Sequence, residues 1–230
     1  MMLEDAVREM TMRVLVFAPH RDDEILGVGG TILKRKAAGA FVAVCLVTAR
    51  EGEVLPECTM RIHREMLAAH RFCEVDQYVG LPFGANRLEE YPRVEFNQAF
   101  TKAVSDVCPD EVYVPFWGDM QRDHRLTTEA ALVALRAKTA HAPRRIYAYE
   151  TLSETGIGAP TAENAFSPNV FEDITDYLEG KRQALRFFES QMHPFPDPRS
   201  LEAVEALARF RGATANVGAA EAFMLVREVR

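Results

Sequence analysis

The chain has 230 residues, 48% hydrophobic and 27% charged, the balance of a globular protein long enough to bury a core without disulfides or a structural metal. A formal net charge of −7 with no basic run argues against a sequence-independent grip on phosphate backbones, and so against a nucleic-acid partner. Four scattered cysteines without a C-x-x-C pair, an opening MMLEDAVREMTM lacking signal-peptide flanks, and no run near the roughly 18 apolar residues of a membrane span lead to the expectation of a cytoplasmic protein with reduced thiols.

In chain order, RVLVFA (13–18), FVAVCLVTA (41–49), VDQYVGL (75–81), EVYVPFW (111–117) and RRIYAYE (144–150) are short and rich in β-branched and aromatic residues, as strands are. Several are apolar throughout, as strands of a parallel sheet covered on both faces tend to be. Between them GGTILKRKAAG (29–39), MRIHREMLAAHRFCE (60–74), VEFNQAFTKAVSDV (94–107) and LTTEAALVALRAK (126–138) repeat apolar residues at helical spacing. This alternation predicts an α/β fold: a Rossmann-like, doubly wound, mostly parallel sheet with right-handed crossovers. Residues 151–169, rich in Gly, Pro, Ser, Thr and Asn, predict an extended loop forming a wall or lid. Residues 170–192 are expected as one helix with Asp173 or Thr175 as N-cap. After a Pro-broken loop, 200–212 are expected as a helix opened by Ser200 and closed by Gly212, and AEAFMLVREV (220–229) as a closing strand. No linker or repeat interrupts the chain, so residues 1–230 are expected to be a single domain, with the C-terminal helices and loop capping the site.

Ligands in an open α/β sheet bind at the carboxyl ends of its strands. That rule selects PHRDDEILGVGG after the first strand, REGE after the second and GDMQRDHR after the fourth. His20, His124 and one of the neighbouring pair Asp22 and Asp23 form a common three-ligand set for catalytic zinc, and the second aspartate can serve as general base. Two carboxylates this close repel strongly without a cation. The plain alternative is a solvated turn whose acids favour a helix N-terminus.

The P-H-x-D-D-E segment, the following G-G-T and the later D-x-x-x-D-H resemble the LmbE-like, or PIG-L, family of zinc-dependent N-deacetylases. PNVFEDIT, LEGKRQAL, ESQM, PRS and ARFRG followed by AEAF are similar to the C-terminal blocks of bacterial members acting on N-acetylated sugars. The resemblance implies His20, Asp23 and His124 as ligands of Zn²⁺, or of Fe²⁺ or Co²⁺. It implies Asp22 as the base, Arg61 as a substrate contact and a small N-acetylated sugar as substrate. Two positions depart from the family pattern: Arg21 stands where proline is usual, and Gln121 where the H-x-D-H motif has its first histidine. A glutamine amide still donates a hydrogen bond but carries no charge and transfers no proton. Asp123 is expected to orient either Gln121 or a ligand. Gln121 motivates an alternative from another class, a catalytically altered zinc-binding module. A homo-oligomer is compatible with the sequence.

Gly27, Gly29 and Gly30 invite a dinucleotide reading, but the full G-x-G-x-x-G spacing is missing, and close helix–strand packing is the preferred expectation. His63, His70 and His141 are expected at the surface and His193 in a turn. Trp117 and Phe116 are expected as packing at a strand end, and Tyr149 and Glu150 as possible substrate contacts.

Overall fold

The computed structural model describes residues 11–138 and 142–230; the readings placed on the first ten residues and on His141 lie outside them. Among the described residues seven strands, β1 (Arg13–Ala18), β2 (Phe41–Leu46), β3 (Gln77–Gly80), β4 (Glu111–Pro115), β5 (Arg145–Tyr149), β6 (Val170–Asp173) and β7 (Ala220–Glu228), form one sheet in the order β3-β2-β1-β4-β5-β7-β6. The first five run parallel, while β7 is antiparallel to both β5 and β6. Among the described residues six helices flank it: α1 (Asp23–Ala37), α2 (Glu57–Phe72), α3 (Arg93–Val107), α4 (Arg122–Ala134), α5 (Leu178–Leu185) and α6 (Leu201–Ala215).

The apolar runs follow from burial on both faces. In β1, Val14, Val16 and Ala18 pack with Ile25, Val28 and Ile32 of α1, whereas Leu15 and Phe17 pack with Phe96 and Phe100 of α3 and with α4. Each of the Val, Leu, Ile and Phe side chains contributes on the order of 1.5–3 kcal/mol by leaving water. Winding reverses at β1. The chain steps from β1 to β2 and β3 on one side, then returns to lay β4 and β5 on the other. The loops after β1 and β4 therefore diverge around a crevice at the carboxyl edge, where such sheets bind ligands.

Three expectations need correction. PHRDDEILGVGG is not all loop, because α1 begins at Asp23 and takes in the three glycines. Residues 170–192 are not one helix: Val170–Asp173 pair with β7 as an edge strand, Thr175–Tyr177 form a 3₁₀ turn, and α5 occupies only Leu178–Leu185. Gly212 does not stop α6. It lies inside the helix against Ala219, and the helix ends at Asn216 in the left-handed region, φ 58°. Ser200 does cap it, accepting from the Ala203 backbone N–H.

The glycines of α1 serve packing. A Cβ at Gly27 would run into the Tyr149 ring, and one at Gly30 would press on Ile174. Tyr149 cannot step aside, since its hydroxyl donates to the Phe17 carbonyl at 2.9 Å. Gly27→Ala gains about 1 kcal/mol of helix propensity but incurs about 1–3 kcal/mol of overpacking. The melting temperature of Gly27→Ala is therefore expected to fall by several degrees, and an unchanged or raised value would contradict the packing account. Below these glycines the buried Glu221 carboxylate accepts from the Gly30 and Thr31 N–H groups, at 2.8 Å each. Lys181 bonds both Glu221 and the Leu26 carbonyl, tying α5 and β7 to α1.

Candidate metal centre

Three of the residues expected to act together do meet. His20 leaves β1, Asp23 opens α1 and His124 lies in the first turn of α4, so the two imidazoles face each other across the crevice with the carboxylate between them. Ligand atoms of the three lie within 4.8 Å of one another. Asp23 Oδ2 is 3.3 Å from His20 Nδ1 and 3.2 Å from His124 Nε2. It also accepts from the His20 backbone N–H at 2.9 Å, which fixes the turn joining strand to helix.

The outer nitrogens are held from behind. His124 Nδ1 sits 2.8 Å from Asp119 Oδ2, and the Thr155 hydroxyl donates to the other oxygen of Asp119. His20 Nε2 lies 3.0 Å from Asp123 Oδ2, which also accepts from the Asn86 backbone N–H at 2.7 Å. Of the two roles expected for Asp123, the geometry gives it the orientation of His20. Carboxylates behind both imidazoles turn the inner nitrogens toward a shared point, the arrangement found around metal-ligating histidines.

The donor set suits a cation. Asp23 Oδ1 and His124 Nε2 are buried with no hydrogen-bond partner. Burial disfavours charge on His20, yet the hydrogen bonds to Asp123 and Asp23 outweigh it and raise its pKa to about 9. Burial likewise opposes charge on His124, but Asp23 and the bond to Asp119 raise it to about 10. The acids thus draw positive charge into the triangle, and a divalent cation with two imidazoles and a carboxylate meets the same demand. Asp119→Asn is expected to keep the fold and weaken zinc binding by roughly 10–100-fold in a competition titration with a chromogenic chelator. Unchanged affinity would mean that Asp119 does not support the ligand.

Asp22, adjacent to the triangle, points elsewhere. It is 4% exposed, and its Oδ2 has no hydrogen bond but lies 3.4 Å from Arg199 Nη1. Burial, reinforced by the neighbouring charge of Asp23 and opposed by Arg199, pushes its pKa up to about 7. The third acid, Glu24, turns away and bonds His70 Nε2 at 2.8 Å. His70 is therefore a buried anchor of α1, not the surface residue expected. The three acids of PHRDDE have three different partners.

Gln121 is the N-cap of α4: its Oε1 accepts from the Asp123 N–H, and its amide nitrogen donates to Asn86 Oδ1 at 3.0 Å. The same nitrogen lies 3.4 Å from His20 Nε2. Arg61 is not brought to the site. It is half exposed on α2, pairs with Glu65 at 3.0 Å, and does not line the cavity in front of the triangle. Tyr149 is fully buried and Glu150 is engaged by Arg211, so neither stands free to meet a substrate. Sequence reasoning gave no role to Asp119, although it begins the D-x-x-x-D-H motif, nor to Arg199 in the PRS block.

The cavity measures about 520 Å³, enough for a sugar unit, and His20, Asp22, Asn86, Gln121, Glu154 and Arg199 are among its walls. Among the described residues no helix is long and apolar enough to cross a membrane. All four cysteines are unpaired.

The PIG-L profile, described as GlcNAc-PI de-N-acetylase, matches residues 15–135, more than half of the chain. A diacetylchitobiose deacetylase of Thermococcus kodakarensis is 29% identical over 195 residues, covering 80% of this chain and 71% of the relative. The solved N,N'-diacetylchitobiose deacetylase from Pyrococcus horikoshii superposes with a TM-score of 0.74 at 24% identity, over 95% of this chain and 85% of that one. GalB, the 4-carboxy-2-hydroxymuconate hydratase from Pseudomonas putida KT2440, superposes with a TM-score of 0.72 at 19% identity, over 95% and 98%. The two structures share this fold while differing in reaction, so the fold by itself does not choose between them.

Proposed function

Because the chain belongs to the PIG-L family, we propose that it is a metal-dependent hydrolase that removes the acetyl group from an N-acetylated amino sugar or glycoconjugate. One observation carries the reading: a buried aspartate whose Oδ2 has no hydrogen bond, Asp22, stands beside a convergent His20–Asp23–His124 triangle at the wall of a sugar-sized cavity. The sugar deacetylase among the relatives supports the substrate class.

His20, Asp23 and His124 would hold the ion, Zn²⁺ or, with the same donors, Fe²⁺ or Co²⁺. Such a cation supplies Lewis acidity, acidifying water and polarising an amide carbonyl. Asp22 takes a proton from the water that attacks the acetyl carbon. As the C–N bond breaks it returns a proton to the departing nitrogen, leaving acetate and a free amine. A cation held by the triangle would favour the carboxylate form of Asp22 that a base requires, against the burial and the Asp23 charge that raise its pKa. Arg199, 3.4 Å away, holds that carboxylate in place. The Gln121 amide is near enough to His20 to donate toward the carbonyl oxygen once it turns from Asn86. A cytoplasmic setting fits the unpaired thiols.

The altered zinc-binding module stays as the second reading. Its support is that Gln121 is already committed, one end to the helix cap and the other to Asn86, and cannot carry charge. Mass spectrometry of N-acetylglucosamine and its conjugates after incubation separates the two. Deacetylation predicts loss of one acetyl group, whereas unchanged masses in a fully metal-loaded protein would favour the module.

A further inference from the structure

The proposed reaction leaves one wall of the cavity unused, and it is the wall built by Arg21. This arginine is only 8% exposed. Its Nη1 donates to the Thr48 carbonyl at 3.2 Å and its Nη2 to the Ala49 carbonyl at 2.8 Å, both just past β2. Its Nε is buried with no acceptor. A guanidinium has five N–H groups, so these two bonds leave most of its donors unused among the described residues.

Its charge is unmatched as well. The other arginines of the cavity wall are neutralised, Arg50 by Glu53 at 2.5 Å, Arg87 by Glu90 at 2.6 Å and Arg199 by Asp22 at 3.4 Å. Among the described residues Arg21 has no carboxylate at ion-pair distance. Glu24, the acid whose field reaches it, is engaged by His70. A buried guanidinium held by neutral carbonyls alone is electrostatically unfinished. Arg21 is among the residues lining the sugar-sized cavity, and a planar guanidinium with unused donors matches a carboxylate or a phosphate.

We propose that Arg21 is a specificity-determining residue that receives an anionic group of the substrate, so that the cavity takes an N-acetylated amino sugar bearing a carboxylate or a phosphate. The inference deepens the proposed function and rests on its reading of the cavity as a sugar site. The competing view is that Arg21 is only a strut between the loops after β1 and β2. A strut changes stability but not the preference for an acidic sugar over a neutral one.

Deacetylated sugars allow the test without turnover. Calorimetric titration of the zinc-loaded protein with glucosamine, glucosamine 6-phosphate and muramic acid is expected to show at least one acidic sugar binding roughly tenfold more tightly than glucosamine. That ratio should collapse toward one in Arg21→Gln and be only partly retained in Arg21→Lys, which keeps the charge but not the planar fork. Arg21→Met replaces the glutamine variant if the latter does not fold. The acid that gains identifies the anion, phosphate or carboxylate. Wild-type protein binding no acidic sugar more tightly than the neutral one overturns the proposal, as does a preference that persists in Arg21→Gln or Arg21→Met. Acetate release without acid preference would sink this inference alone. Acid preference in a protein that releases no acetate would sink the proposed reaction and leave Arg21 its role.

Discussion

Asp22→Asn is expected to keep its full complement of metal while releasing acetate about a thousandfold more slowly than the wild type. The two halves of that outcome come from different atoms. Metal retention follows because the converging ligand atoms belong to His20, Asp23 and His124, while Asp22 Oδ2 faces Arg199. The rate loss follows because an amide fills the same space but accepts no proton from water at neutral pH. Stability argues in the same direction. Asp22 is a buried acid beside the buried Asp23, and burial and that like charge are what push it up to about 7. Removing its charge relieves the repulsion, so the variant should melt no lower than the wild type even as activity collapses, the signature of a residue kept for chemistry. Acetate release, metal content by plasma mass spectrometry and a thermal melt on one preparation give all three readouts. Loss of metal would make Asp22 a ligand, and a rate within a few-fold of wild type would return it to the solvated-turn reading.

The second large effect is on the metal itself. His124→Ala should bind no stoichiometric metal and release acetate only at background. It removes the ligand atom Nε2 and at the same time strips the buried Asp119 of its imidazole partner, leaving that carboxylate the Thr155 hydroxyl. Breaking one side of a buried ionic pair costs about 3–5 kcal/mol, so the variant should also melt roughly 10 °C lower. His20→Ala gives the control. It also loses metal, but its side chain is 23% exposed and the Asp123 behind it keeps the Asn86 N–H, so its thermal penalty should be smaller. Metal retained by His124→Ala in a folded protein would contradict the ligand assignment.

Much of the site was legible because its parts follow strands. The apolar runs of β1 and β4 mark two strand ends. The rule that ligands gather at the carboxyl edge then brings His20 and Asp23 to His124 across about a hundred positions of sequence. Residues held by tertiary contacts alone were not legible. Val170, Phe171, Ile174 and Leu178 are spaced as on a helix, and only the register of β6 against β7 makes the first four residues a strand. Gly212 looks like a helix stop until Ala219 is seen packed against it. Arg61 has the right residue type, but it pairs with Glu65 along α2 and is not among the residues lining the cavity. Arg199 reaches Asp22 from a loop far along the chain, and no local pattern encodes that approach. The left-out partners, Asp119 and Arg199, both act on residues the sequence did identify.

The most direct test of the account is acetate release from N-acetylated glucosamine conjugates before chelation, after it, and after stoichiometric zinc is restored. Acetate and free amine are expected in equal amounts, both lost on chelation and both restored with the metal. Release that persists in demonstrably metal-free protein, or none from any conjugate in a fully loaded one, would contradict it.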